Sequence, residues 1–336
     1  MSQFNHCIIL FGGSSEERKV SAASAQNLSQ KIPEATLWFW SQTGEIHIVT
    51  QAELCQHSEA FTKEFSPTSS PAFSSLKESL DSMKNKVIII GLHGTEGEDG
   101  TLQSLLEKNQ INFTGSDSIS SQLAFDKRET KKRAASNGLS TVADLPLNTF
   151  DHSEREALER FYQEHKKIVL KPLSNGSSFG LYIIEALDEL NKAIKEISIR
   201  PMAYMAEAFV QGREITVGVW DQEKEKCIPL PCSEVRLIPG GRFDYQGKYL
   251  GQGVEELTPA PLSESETRSC QDLALKLHKI LGCRGYSRTD MILTENGPVL
   301  LEINTLPGLT KASFIPQQLK AIQVDLRSFF ETQIFS

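Results

Sequence analysis

Ser287-Arg-Thr-Asp-Met-Ile-Leu-Thr294, Glu295-Asn-Gly297 and Pro298-Val-Leu-Leu-Glu-Ile-Asn304 read as two strands joined by a tight turn. With a three-residue loop over Glu295-Asn-Gly297, Asp290 lies opposite Glu302 and Arg288 opposite Asn304. Side chains alternate with period two, so these four share one face. Thr289, Met291 and Leu293 then meet Val299, Leu301 and Ile303 on the other face, which is mostly apolar. A two-residue turn would send Asp290 and Glu302 to opposite faces. Two carboxylates and an amide oxygen on one face are the oxygen-rich set that Mg²⁺ takes, usually together with substrate phosphates. The competing reading is a solvated sheet face carrying an Asp–Arg pair.

Upstream, strand and helix signals alternate. Cys7-Ile-Ile-Leu-Phe11 is a short buried strand, broken by Gly12-Gly13 and followed by a helix opening at Ser14-Ser-Glu-Glu17. Leu37 to Trp40 and Glu45 to Val49 are strands around a Thr43-Gly44 turn. His57 to Asn85 is a Ser- and Pro-rich loop with a short helix. A strand over Lys86 to Ile90, a helix over Thr101 to Lys108 and a strand over Ile111 to Phe113 complete an α/β layer with parallel strands. Asp117 to Asn137 is helical and basic, and a second αβ unit spans Ser140 to Pro201. Strands follow as far as Pro261. A helix then precedes the hairpin, with Leu273, Leu277 and Ile280 on one face. Pro316 opens a closing helix.

Two loops have the chemistry to meet a ligand. Lys171 ends a strand that leads into Pro172-Leu-Ser-Asn-Gly-Ser-Ser-Phe-Gly180 and a returning strand. This is not GxxxxGK[ST], but a Gly/Ser loop can still lay N–H groups over phosphate oxygens, with Lys171 as a point charge. The alternative is a plain hairpin. Leu92-His-Gly-Thr-Glu-Gly-Glu-Asp-Gly100 sits at the C-terminal edge of a parallel strand, where open α/β sheets bind ligands. Alternatively it only caps the next helix. Ser14-x-x-Glu17 fits a capping box. In the run Lys127-Arg128, Lys131-Lys132-Arg133 only Lys127 stands out, the rest reading as a solvated helix face. Met205 to Val210 and Arg213 to Val217, around Gln211-Gly212, read as a hairpin.

Composition narrows the classes. With 35 basic and 43 acidic residues the net charge is −8, the wrong sign for a general nucleic-acid binder. No apolar run approaches the length of a transmembrane helix, and Met1 to Leu10 lacks a basic n-region. The cysteines, Cys7, Cys55, Cys227, Cys232, Cys270 and Cys283, form no CxxC pair. They are expected to be buried, reduced thiols in a cytoplasmic protein. At about 150 residues per domain, 336 residues suggest two domains or three small ones.

The ordered set of motifs resembles the D-alanine–D-alanine ligases of the ATP-grasp superfamily. It comprises Gly13-Ser-Ser-Glu-Glu-Arg-Lys-Val-Ser21, His93-Gly94 with Gly97-Glu-Asp-Gly100, Phe113-Thr-Gly-Ser116, Asp126-Lys127, Lys171-Pro172 with Gly176-Ser-Ser178, Lys248-Tyr249, Arg288-x-Asp290 and Glu302-Ile-Asn-Thr-Leu-Pro-Gly308. The resemblance covers nearly the whole chain. It implies a three-domain α/β ATP-grasp architecture: an N-terminal domain over 1–120, a central one over 121–204 and a C-terminal one over 205–336. ATP would lie between two sheets. The reaction implied is ATP-dependent joining of two D-alanines through a D-alanyl phosphate, for peptidoglycan precursors. A D-alanine–D-serine or D-alanine–D-lactate ligase, or another carboxylate–amine ligase of this superfamily, is the second reading.

By position, the resemblance places Asp290, Glu302 and Asn304 on two Mg²⁺, with Mn²⁺ as a substitute. Lys127 and Lys171 would contact phosphates, under a loop holding Gly176, Ser177 and Ser178. Glu207, Phe209 and Val210 would meet the adenine, and Glu214 the ribose. Glu17 would hold the ammonium of the first D-alanine, with His93 near its carboxylate. Arg288 and the Gly308 N–H would stabilise the oxyanion, and Ser313 and Phe314 would line the second substrate site. Lys248, which also reaches ATP, and Tyr249 would sit on a lid, with Tyr249 directed toward Ser177 and Glu17. A homodimer is implied, with no nucleic acid or membrane partner.

Overall fold

The computed structural model describes residues 2–173, 180–200, 202–223, 226–238 and 253–334. Three sheets organise these residues. The first contains β1 (Cys7–Gly12), β2 (Thr36–Trp40), β3 (Ile46–Val49), β4 (Val87–Ile90) and β5 (Asn112–Phe113), in the order β3-β2-β1-β4-β5. Its strands are parallel except for β3, which returns against β2 around Gly44 at φ 96°. All six residues of β1 are buried, because a central parallel strand is covered on both faces.

The first helix, Arg18–Lys31, starts later than the sequence suggests. The capping box does not form. Glu17 occupies the N-cap without a side-chain capping bond, and the Ser14 N–H donates instead to Glu96 Oε2 at 3.0 Å. The helix Thr101–Lys108 has the expected bounds. The basic helical stretch is two helices, Ser118–Phe125 and Lys127–Ser136, broken at Asp126. The Asp126 carboxylate accepts from the N–H groups of Arg128 and Glu129, which sets Lys127 at the first helical position.

The second sheet, antiparallel, contains β6 (Asp144–Leu147), β7 (Ile168–Pro172), β8 (Tyr182–Ile184) and β9 (Tyr204–Ala208), in the order β6-β9-β7-β8. The third contains β10 (Arg213–Glu223), β11 (Lys226–Pro229), β12 (Ser233–Leu237), β13 (Val254–Leu257), β14 (Tyr286–Thr294) and β15 (Gly297–Asn304). Here the expected hairpin across Gln211-Gly212 is corrected. β9 pairs with β6 and β7, whereas β10 pairs with β11, β12 and β14, so residues 209–212 cross from one sheet to the other. The central sheet therefore runs to Ala208, a few residues past the division expected after 204. Gly212 is required at the crossing, since an added Cβ would lie 2.5 Å from Leu293 O.

The β14–β15 register differs from expectation in its route and agrees in its outcome. Thr294 pairs with Gly297, so the turn has two residues, not three. Yet Arg288 faces Asn304 and Asp290 faces Glu302. A bulge reconciles the two: the register shifts between Asp290 and Met291, and Leu301 is the extra residue. Met291 therefore meets Leu300, not Leu301. Leu300 is fully buried beside Met291, Leu293 and Ile303, while Val299 and Leu301 are only partly covered.

The C-terminal helices Phe314–Ala321 and Leu326–Ile334 return to the first sheet. Ile315, Leu319, Phe329 and Phe330 share one core with Ile8, Leu10 and Ile89. The bulge gives a direct test. Leu300→Ala should cost about 2–5 kcal/mol of stability in urea unfolding, as for a filled core position. Leu301→Ala should cost less than about 1 kcal/mol. Equal effects would contradict the register.

Candidate active site

A cavity of about 620 Å³ lies between the second and third sheets. One wall carries Val169, Lys171, Ile183 and Glu207, and the other Glu214, Thr216, Asp290, Ile292, Leu301 and Glu302. The crossover residues Phe209 and Val210 close one side. Its size and mixed lining suit a ligand of nucleotide dimensions. A smaller polar pocket of about 70 Å³ adjoins it, lined by Glu17, His93, Glu98, Asn304, Gly308, Ser313 and Phe314 among others. Lys127, Arg288, Glu302 and Phe314 border both.

Glu207 is buried and holds two lysines: Lys171 at 2.8 Å and Lys131 in direct contact. Burial alone would push its carboxyl up. Lys171 and Lys131 more than offset this and hold it below the usual carboxylate range. Lys131 is a correction: it is buried, not part of a solvated face, whereas Lys132 is exposed as expected. Lys127 and Lys131 are four residues apart, so they share the helix face turned inward. That spacing was the available signal.

At the polar end, Arg288 forms a two-pronged pair with Asp290, at 2.9 and 2.7 Å. The expected Asp–Arg pair is thus present, and Arg288 is buried rather than solvated. Asp290 also accepts from Thr216 Oγ1, Glu302 Oε2 lies 3.3 Å from Lys127 Nζ, and Asn304 Oδ1 accepts the Leu306 N–H at 2.7 Å. Carboxylate and amide oxygens each offer more than one lone pair, so this donor set retains capacity for a hard cation. Asp290, Glu302 and Asn304 fit Mg²⁺ by ligand chemistry.

The loop after β15 is tied to the first sheet's layer. His93 Nδ1 donates to Leu306 O at 2.9 Å, since a carbonyl only accepts. Its Nε2 is hydrogen-bonded with Ser24 Oγ at 2.8 Å. Asn27 Nδ2 donates to Leu309 O at 2.7 Å. Glycine is required at Gly94, where φ is +74° and a Cβ would lie 2.2 Å from Ser15 Oγ and 3.1 Å from Glu17 Oε2. Gly308 is similarly confined by Ser313 Oγ, 2.7 Å from where its Cβ would be. Ser313 Oγ bonds with Thr310, and the Arg288 guanidinium lies 5.9 Å from the Phe314 ring centre.

The structure thus brings Glu17, His93, Lys127, Arg288, Glu302, Asn304, Gly308, Ser313 and Phe314 to the small pocket, and Lys171, Glu207, Phe209, Val210, Glu214 and Asp290 to the large one. Gly176, Ser177, Ser178, Lys248 and Tyr249 lie outside the described residues. Besides Lys131, the sequence reading missed Glu234 and Glu256. Glu256 borders the small pocket; burial pushes its carboxyl up, opposed by a Gln317 hydrogen bond and the Arg288 charge. Glu234, buried in the large cavity wall, pairs with Arg213 at 2.7 Å and Arg236 at 2.8 Å. Neither sits in a recognisable local pattern.

Two antiparallel sheets closing on a nucleotide-sized cleft, with carboxylates and lysines at its polar end, define the ATP-grasp class. Solved structures agree. The VanG D-Ala:D-Ser ligase from Enterococcus faecalis superposes with a TM-score of 0.79 at 26% identity, covering 98% of each chain. The D-alanine–D-alanine ligase from Coxiella burnetii gives 0.79 at 26%, covering 98% of this chain and 92% of that one. Residues 6–116 match the family described as D-ala D-ala ligase N-terminus, and residues 135–334 its C-terminus. The D-alanine–D-alanine ligase of Leptospira interrogans serovar Lai is 31% identical, over 97% of this chain and 96% of its own. That of Thermotoga maritima is 33% identical, over 96% and 94%. The chain belongs to the D-alanine–D-alanine ligase family.

The Glu234 cluster gives a pH test. The Arg213 hydrogen bond, opposed by burial and reinforced by Arg236, holds the Glu234 carboxyl down at about 2. A depressed carboxyl contributes stability above its unfolded value and loses it as pH falls toward 2. Glu234→Gln should be less stable than wild type by about 2 kcal/mol at neutral pH, and this gap should close between about pH 4.5 and 2. Urea midpoints at several pH values will check it. A gap constant with pH would remove the ion pair from the account.

Proposed function

We propose that the protein joins two D-alanines to D-alanyl-D-alanine with hydrolysis of ATP to ADP and phosphate, for peptidoglycan precursors. The observation that carries this reading is the junction of the two cavities. Lys127, Arg288 and Glu302 border both, so a phosphoryl group at the end of the large cavity abuts a carboxylate in the small pocket.

Membership in the family and the lining of the two cavities support these roles. Phe209 and Val210 hold the adenine from the crossover, with Glu207 at its edge, and Glu214 takes the ribose. Lys127 and Lys171 orient the phosphates, while Glu207 fixes the Lys171 ammonium at 2.8 Å. By the resemblance, Gly176, Ser177 and Ser178, outside the described residues, would cover them. Asp290, Glu302 and Asn304 would hold two Mg²⁺, or Mn²⁺, which when bound neutralise charge on the phosphate oxygens. Glu17 pairs with the ammonium of the first D-alanine, and His93 fixes the wall near its carboxylate. An oxygen of that carboxylate attacks the γ-phosphorus as the bond to the β-phosphate oxygen breaks, giving D-alanyl phosphate and ADP.

The amine of the second D-alanine, seated by Ser313 and Phe314, then attacks the acyl carbon. Arg288 and the Gly308 N–H stabilise the resulting oxyanion. The amine loses its proton and the C–O bond to phosphate breaks, leaving the peptide. The resemblance gives Lys248 and Tyr249, which lie outside the described residues, to a lid that would exclude water, with Lys248 also reaching ATP and Tyr249 directed toward Ser177 and Glu17.

Three domains are proposed, 1–120, 121–204 and 205–336, with the second boundary extended to the 209–212 crossover. A cytoplasmic homodimer completes the reading. Among the described residues no helix is long and apolar enough to cross a membrane.

The test is ADP release with Mg·ATP and D-alanine, compared with L-alanine and with D-alanine plus D-serine or D-lactate, products identified by mass. D-alanyl-D-alanine from D-alanine alone is expected. No ADP with any acceptor, from folded protein that binds ATP, would overturn the reading. Glu302→Ala should lower kcat by more than about 100-fold with the circular dichroism spectrum unchanged. Unfolding instead would make that sheet face structural. Tyr249→Phe should chiefly weaken discrimination among acceptors. Unchanged kinetics with all of them would remove the lid.

A further inference from the structure

His278, on the helix Glu264–Ile280, is 2% exposed. Its Nδ1 is fixed by Ser287 Oγ at 2.7 Å. Its Nε2 is buried and makes no well-formed hydrogen bond among the described residues. Asp221 Oδ1 stands 3.5 Å away, too far for a strong hydrogen bond. Cys227 completes the group: one ligand atom from each residue lies within 4.8 Å of the other two. None of the three borders either cavity of the cleft.

We propose that Asp221, Cys227 and His278 form a second metal site, which takes one divalent ion of the zinc class. The separation is informative. Nitrogen and oxygen ligands about 2.0–2.2 Å from one tetrahedral ion stand about 3.4 Å apart. That matches the His278–Asp221 distance of 3.5 Å. The outer contacts have the pattern that metal ligands need. The histidine's second nitrogen is held by Ser287, and the second Asp221 oxygen accepts the Gly285 N–H at 2.7 Å. A thiolate with an imidazole selects a softer ion than the all-oxygen set of the cleft. Asp221 and Cys227 are partly exposed, which leaves an entry path and room for a water as fourth ligand. The ion would pin the β10–β11 hairpin to the helix packed behind it.

The test uses the full-length protein stripped with chelator and titrated with Co²⁺. A near-ultraviolet thiolate-to-cobalt band should saturate at one equivalent, and elemental analysis after gel filtration should find one Zn²⁺ in protein reloaded with zinc. Cobalt at the oxygen ligands of the cleft gives no such band, so failure of the ligase reading leaves this result intact. Cys227→Ser should abolish the band. Ser287→Ala, which keeps all three ligands, should weaken Co²⁺ binding about 10- to 100-fold. No band, or one that persists in Cys227→Ser, would overturn the proposal. If Cys227→Ser does not fold, unchanged Co²⁺ affinity in Ser287→Ala would overturn it alone.

Discussion

Backbone pairing between β14 and β15 fixes the polar end of the cleft, and the extra residue at Leu301 decides it. In an antiparallel pair, a slip of one position turns every side chain to the other face. With a two-residue turn and no bulge, Asp290 and Glu302 would point apart. With the bulge they stand opposite each other, and Arg288 stands opposite Asn304. The same local change turns Leu300 into the core while Leu301 borders the cavity. A single inserted residue thus serves the packing behind the sheet and the chemistry in front of it.

The charges of the cleft are arranged as neutralising pairs. Buried Glu207 takes two lysines from different elements, Lys171 on β7 and Lys131 on the helix after Asp126. A carboxylate at that depth is sustained only by such partners. Lys127, one turn before Lys131, reaches the opposite sheet at Glu302. The helix Lys127–Ser136 therefore joins both walls through its buried face. The loop after β15 is held from a third direction, by His93, Ser24 and Asn27. Three layers meet at one pocket because each contributes hydrogen-bond partners that the others lack.

Much of this was legible in the chain. Alternation with period two placed the four polar residues of the hairpin on one face, and the strand and helix signals of the first layer stand nearly where they were read. The bulge was not legible for a plain reason: residues 300 and 301 are both leucine, so hydrophobicity cannot tell which points inward. The link between β9 and β10 was misread because Gln211-Gly212 has turn chemistry whether it joins partners or separates them. Only the long-range pairings of each strand distinguish the two. The capping box at Ser14 failed because Glu96, far along the chain, supplies the competing acceptor. Asp221, Cys227 and His278 converge only in three dimensions, which no spacing rule detects.

The return of the last two helices to the first sheet has a consequence for biogenesis. A chain made from its N-terminus usually folds its first layer as it emerges. Here the core around β1 and β4 is completed by Ile315, Leu319, Phe329 and Phe330. On a ribosome adding ~5–20 residues per second, those side chains follow β5 by roughly 10–40 s. Until those residues emerge, the earliest layer made is the last whose interior can be filled, and loss of the helix Leu326–Ile334 would unmake the beginning of the chain.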